Sequence, residues 1–447
     1  MSKNNTMDMV HGPLVKNILI YSIPMMFTSF IQILFNAVDT VVVGKFAGEL
    51  SLAAVGSTAY LCFLVTSLFN GLAVGSNVVI SNALGQNDPK KVEHVVHTSI
   101  SLAVVCGILL ALLGNLLTVP LLKLMSTPDD IFGLSELYIR IYFIGGFFML
   151  VYNFGSSILR SKGDTKKPLY FLFISGLLNV ILNLIFVIVF QWDVAGVAIA
   201  TVISNAVAAI LVIITLIKSS DMTHLDVSKL GIDSKLAFEI IRIGVPAGIQ
   251  GMVFSLSNVV IQSSINSFDS STIIAGNSVG SNVEGFVYIG MTAFSQACIT
   301  FTGQNMGAKN YKRIPEIVWY NLIFTVIGGL GIGLMIWIFG EFFLGFYTNE
   351  TAVIDVGMIR LTYVSLPLVL NGILDVFVCS LRGMGHSSVP TIIMIAGICG
   401  VRLLWIAIVF NQFHTLESIF LCYPVSWIVT GLVEAIMWFK TYRKYKV

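Results

Sequence analysis

Two stretches of this chain repeat each other at a constant offset of 222 residues. Pro24 recurs as Pro246 and Asn36 as Asn258. Gly85, Lys90 and Lys91 recur as Gly307, Lys312 and Arg313, and Leu159, Arg160, Gly163 and Pro168 recur as Leu381, Arg382, Gly385 and Pro390. These separated clusters stay in step with no insertion, so the chain is expected to fold as two similar halves with the same order of elements. In a membrane protein such a duplication suits two bundles that rock about a shared centre.

The chain is apolar throughout. Hydrophobic residues make up 56% of it and charged residues 11%, with a mean hydropathy of +0.90. Soluble domains carry about 25% charge, so the expected class is an all-α integral membrane protein. Met1 to Gly12 is polar and reads as no cleavable signal peptide. Breaks at Pro, Gly and charge runs define twelve spans of the length a bilayer needs. The first six are Val15–Val43, Leu52–Leu84, Val95–Leu117, Ser135–Leu159, Pro168–Phe190 and Ala195–Lys218. The second six are Leu236–Asn266, Ser271–Asn305, Glu316–Gly340, Ile354–Leu381, Pro390–Gln412 and Leu416–Lys440. Residues 1–218 then form an N-terminal six-helix lobe, 219–234 a linker and 235–447 a C-terminal six-helix lobe. With the N-terminus cytoplasmic, 20 of the 25 Lys and Arg residues fall on the inner side, Lys3, Lys162 and Lys446 among them. That bias places both termini in the cytoplasm, and the lack of a long tail or extracellular domain points to a plasma (inner) membrane. Each half has an even number of spans, so the two repeats are parallel, related by a pseudo-twofold axis along the membrane normal.

Three loop segments and one helix then carry a resemblance. Leu159 to Pro168 (LRSKGDTKKP), its echo Leu381 to Gly385 (LRGMG), Gly303 to Ala308 (GQNMGA), and Pro24 followed by Asn36 and Asp39 are similar to the multidrug and toxic compound extrusion (MATE) family. The similarity covers essentially the whole chain. It implies an antiporter that expels organic cationic or amphipathic small molecules in exchange for Na⁺ or H⁺. It also implies a first-helix Asp, here Asp39, in a cation or proton site of the N-terminal lobe.

The residues support a coupling role independently. A carboxylate within a bilayer costs about 3 kcal/mol or more, so it marks a task or a partner. Asp39 has Ile261 as its repeat counterpart, so its charge is an addition to the shared scaffold. Asn179 and Asn183 stand four apart, on one face of the fifth helix, where they can hydrogen-bond Asp39, ligate Na⁺ through their oxygens, or simply bond between helices. Gln32 and Asn36, also four apart, share that choice on the first helix. In the second half, Glu284, Asp375 and Arg402 lie within spans. An unpaired Arg at that depth is costly, so Arg402 is expected to pair with Glu284 or Asp375, as a structural bridge or as substrate or coupling groups.

Other chemistries find no support. There is no GxxxxGK[ST] segment, and the glycines at 328, 329, 331 and 333 read as a helix-packing face. The six cysteines lack CxxC spacing and read as small core residues. His94 and His97 read as a wet interfacial face, and no metal site is expected. No nucleophile with a base appears, so no catalytic residue is assigned, no enzyme is expected, and no cofactor beyond the coupling ion is implied. Nothing points to nucleic acid, and the expected partners are the lipid bilayer and small-molecule substrates, with the chain acting as a monomer. Rival readings are a lipid-linked oligosaccharide flippase, which would line its cleft with several Arg and Lys, and a membrane-embedded transferase, which would want His or paired Asp.

Overall fold

The computed structural model describes residues 7–445 except Ser126, so Lys3 and Lys446 lie outside the described residues. The described chain is all helical. We number its long helices α1 (Leu14–Ala47), α2 (Glu49–Gly85), α3 (Pro89–Leu124), α4 (Asp129–Ser161), α5 (Lys166–Val189) and α6 (Asp193–Ile217). After the linker come α7 (Ser234–Asn266), α8 (Ser271–Gly307), α9 (Tyr311–Ile338), α10 (Thr351–Gly383), α11 (Ser388–Phe410) and α12 (Leu416–Tyr442). Among the described residues eleven of these twelve are long and apolar enough to cross a membrane; α8, studded with Ser, Asn, Gln and Glu284, is the exception.

Several helices start earlier than hydropathy alone suggests. α3 begins at Pro89, not Val95, because the Asp88 carboxylate caps it by accepting from the Lys90 and Lys91 amides and Pro89 presets the first turn. Its charged first turn is helical, with Pro89 and Lys90 exposed. The loop motifs are helix caps. Gly163 and Gly385, at repeat-related positions, both adopt positive φ (91° and 86°). Gly163 N–H bonds Arg160 C=O and Asp164 N–H bonds Leu159 C=O. Gly385 to Arg382 and His386 to Leu381 reproduce that pattern. This left-handed turn closes α4 and α10, and it explains the Leu-Arg-x-x-Gly spacing.

The helices form two compact units whose boundaries do not follow the linker. Unit 1 holds Phe27–Gly248; unit 2 holds Asp8–Met26 and the chain from Ile249 onward. Both breaks fall two residues past a repeat-related proline, Pro24 in α1 and Pro246 in α7. Each helix thus begins in one unit and ends in the other. Within unit 1 the opening of α7 meets α2 through glycines on both sides: a Cβ at Gly71 would lie 2.2 Å from the Gly248 nitrogen, and one at Gly75 would lie 2.2 Å from the Ile240 oxygen. The equivalent contact in unit 2, between the opening of α1 and α8, uses Ser22, whose hydroxyl approaches the Ala293 carbonyl at 3.5 Å, and Tyr21, whose hydroxyl bonds Thr300 at 2.9 Å.

The linker is fixed to unit 1. Lys162, buried at the end of α4, donates to Ser219, Asp221 and Thr223. His97 is buried rather than wet: its Nδ1 faces Glu93 C=O at 2.6 Å, and its Nε2 accepts from the Asp226 amide at 3.0 Å. A helix face that looks interfacial in sequence is covered by the chain 129 residues later, and only His94 stays exposed. All six cysteines are buried and free. Gly328 and Gly329 pack tightly against Gly290 and Met291, whereas Gly331 faces open space and does not extend that packing face.

Candidate functional site

The site in unit 1 is made by a close approach of α1 to α5. Gly176 leaves room for Phe35, whose ring would overlap any Cβ there. One turn past Phe35 on α1 is Asp39, and one and two turns past Gly176 on α5 are Asn179 and Asn183. Asn183 Nδ2 donates to Asp39 Oδ1 at 2.6 Å. The orientation that satisfies the Asn179 amide has its nitrogen donating to Asp39 Oδ1 at 2.7 Å and Oδ2 at 3.2 Å, with its oxygen accepting from Thr201 N of α6 at 3.3 Å. Asn183 is fully buried and Asn179 nearly so. The surroundings are apolar: Val42, Val43, Val187 and Val197, with Val38 and Tyr138 against them. Asn183 Oδ1 has no hydrogen-bond partner among the described residues. A half-buried carboxylate held by two amide donors, with one unengaged amide oxygen beside it, forms a cage whose free oxygen lone pairs suit a proton or a small hard cation. Gln32 and Asn36 are exposed within this unit and stay outside the cage.

The charged residues of unit 2 are arranged differently from the sequence expectation. Glu284 Oε2 accepts from Arg360 Nη2 at 2.8 Å and Nε at 3.0 Å. Arg360 also donates to Asn277 Oδ1, and its guanidinium lies 5.7 Å from the Phe420 ring centre and 5.6 Å from that of Tyr423. Arg402 does not pair with Glu284 or Asp375. Its Nε donates to Ser426 Oγ at 3.1 Å, and its guanidinium lies 4.3 Å above Tyr423 and 5.9 Å from Trp427. The reason is the face it occupies: Arg402 points from α11 onto α12, while α10 brings Arg360 to α8. Aromatic faces there supply the stabilisation that a carboxylate was expected to give. Asp375 makes no hydrogen bond to another described side chain.

Arg360, Thr201 and Glu434 are not among the candidates singled out from the sequence. A usable signal was present for the charged pair. Glu284 and Arg360 occupy the positions where the first half has Cys62 and Tyr138, so two complementary charges enter the same half together.

Comparison with known proteins agrees with this architecture. The MatE family model matches residues 24–185 and 246–408, two stretches that begin at the repeated prolines. The "Probable multidrug resistance protein YoeA" of Bacillus subtilis is 28% identical over 431 residues, covering 94% of this chain and 92% of that protein. The "Multidrug export protein MepA" of Staphylococcus saprophyticus is 22% identical over 404 residues, covering 90% of this chain and 89% of that protein. A solved structure described as the outward-facing conformation of a multidrug resistance MATE family transporter superposes with a TM-score of 0.93 at 20% identity, covering all of both chains. Matched over both repeats, the chain belongs to the MatE family.

Proposed function

We propose that this chain is a secondary active multidrug exporter of the plasma membrane. It exchanges organic cationic or amphipathic compounds for Na⁺ or H⁺ by alternating access between its two lobes. The observation that carries this reading is the Asp39 cage: a carboxylate added to one half of a duplicated scaffold, held by Asn179 and Asn183 among valines. Occupancy of the cage by the ion neutralises Asp39. Release leaves a charge that only the Asn179 and Asn183 amides stabilise, so the packing of α1 on α5 and α6 depends on occupancy. The driving force needs no nucleotide, since one charge crossing 100 mV supplies about 2.3 kcal/mol. Relatives named for multidrug resistance and multidrug export support the substrate class. In unit 2, Glu284 with Arg360 and Arg402 with its aromatic rings act as braces. With both of these guanidiniums engaged, neither is free for a pyrophosphate, which disfavours the flippase reading.

The test uses purified protein in liposomes loaded with a fluorescent organic cation, under a Na⁺ or a pH gradient imposed separately. Wild type is expected to move the dye under one gradient, and Asp39→Asn to fall to the protein-free background. Equal transport by Asp39→Asn at matched reconstitution would sink the coupling scheme.

A further inference from the structure

The comparison of halves that sets Asp39 apart also sets apart a second carboxylate. Glu434 on α12 stands where the first half has Val212, and both side chains are fully buried. In unit 1 the position is a packing residue, since Val212 closes on Gly155 so tightly that a Cβ there would lie 2.8 Å from it. In unit 2 it is an acid, and neither Oε1 nor Oε2 has a hydrogen-bond partner among the described residues. An ionised carboxylate with no donor is among the costliest buried groups.

The charged groups that act on Glu434 are Arg382 and Asp375, both on α10. From α11 the charged residue facing α12 is Arg402, committed to Ser426 two turns away. Arg382 is itself incompletely paired. It donates through Nη2 to Gln250 and Thr391, while its Nε has no partner among the described residues. One unit thus contains two unpaired carboxylate oxygens and an unpaired guanidinium nitrogen on adjacent helices.

We propose that Glu434 is a proton-carrying site of unit 2. It holds one proton in this conformation and takes Arg382 as its counter-ion when the proton leaves. On release the Oε–H bond breaks, the proton passes to water, and the carboxylate charge is matched by the guanidinium. Arg382 belongs to the Leu381–Gly385 cap that closes α10, so the exchange links α12 to that turn. The site is separate from Asp39 and does not depend on the transported compound or on the ion Asp39 takes.

Infrared spectroscopy of the purified full chain at neutral pH tests this. Wild type is expected to show the carbonyl stretch of protonated carboxyl groups, and Glu434→Gln to lose one carboxyl's share with its helical amide bands unchanged. An unchanged acid band, or loss from the ionised-carboxylate band instead, overturns the proposal. If Glu434→Gln does not fold, Glu434→Asp must shift the acid band, and an unshifted band overturns the proposal equally. In Arg382→Gln the acid band should survive further into alkali than in wild type; identical titrations would overturn the counter-ion role.

Discussion

The two halves of this chain share a scaffold and differ in where they put charge. In unit 1 the polar cage joins α1, α5 and α6 through Asp39, Asn179, Asn183 and Thr201. The same positions in the second half are Ile261, Val401, Trp405 and Tyr423, a wholly apolar and aromatic set. Conversely, Cys62 and Tyr138 of unit 1 are replaced in unit 2 by Glu284 and Arg360, which neutralise each other. Unit 1 therefore carries an acid without a basic partner, where an exchangeable ion can supply the missing charge. At Glu284, unit 2 carries an acid whose partner is built in. Duplication supplied the frame, and divergence made the Asp39 positions a site in one half and the Glu284 positions a brace in the other.

That contrast can be broken by exchanging residues between the halves. The largest effect is expected from Arg360→Tyr, which copies Tyr138 and strands Glu284. Denaturation in detergent should show a loss of about 3–5 kcal/mol, while Arg360→Tyr with Glu284→Cys recovers most of it. A double variant as unstable as the single one would show that the pair is more than a replaceable brace. Next comes the helix crossing. Gly75→Ala, which copies Ala297, should cost about 1–3 kcal/mol because the methyl meets the Ile240 backbone. The reverse change, Ala297→Gly, should cost no more than about 1 kcal/mol in the same assay.

The linker clasp belongs to unit 1 alone, since Lys162 is matched by Met384. Burial raises the Asp221 carboxyl, but hydrogen bonds from Lys162 and Thr223 outweigh it and hold the group down at about 2. A lowered folded-state value stabilises above the unfolded one, and that stability is lost on acidification. Between pH 4 and pH 2, roughly, about 2 kcal/mol should disappear, and Lys162→Met should flatten that part of the profile. The smallest effect concerns the residues the halves share. Asn36→Ala and Asn258→Ala should each stay within about 0.5 kcal/mol of wild type, as expected of positions outside the charged sites.

Much of this was legible in the residues. The constant offset announced two halves, the apolar runs announced the helices, and the Asp39 to Ile261 mismatch singled out the acid that differs. The Asn179–Asn183 spacing also anticipated the partners that Asp39 finds, because i and i+4 share a helix face whatever that face packs against. Arg402 shows where such reasoning stops. Its depth demanded stabilisation, yet nothing local distinguished a carboxylate from the faces of Tyr423 and Trp427. Glu434 was visible as a charge within an apolar span, but its lack of any donor could not be seen until α10 and α12 were packed together.

The helices, the duplication and the residues that break its symmetry can be read from the residues alone, since these depend on local hydropathy and on comparison of one half with the other. Which buried charges meet was set by how the helices pack. That packing also decided that α1 and α7 each begin in one unit and end in the other, two residues past their prolines. The physical reason is range: periodicity fixes the face a side chain occupies on its own helix, whereas its partner is fixed by contacts between residues far apart in the chain, 76 apart for Glu284 and Arg360 and 144 for Asp39 and Asn183.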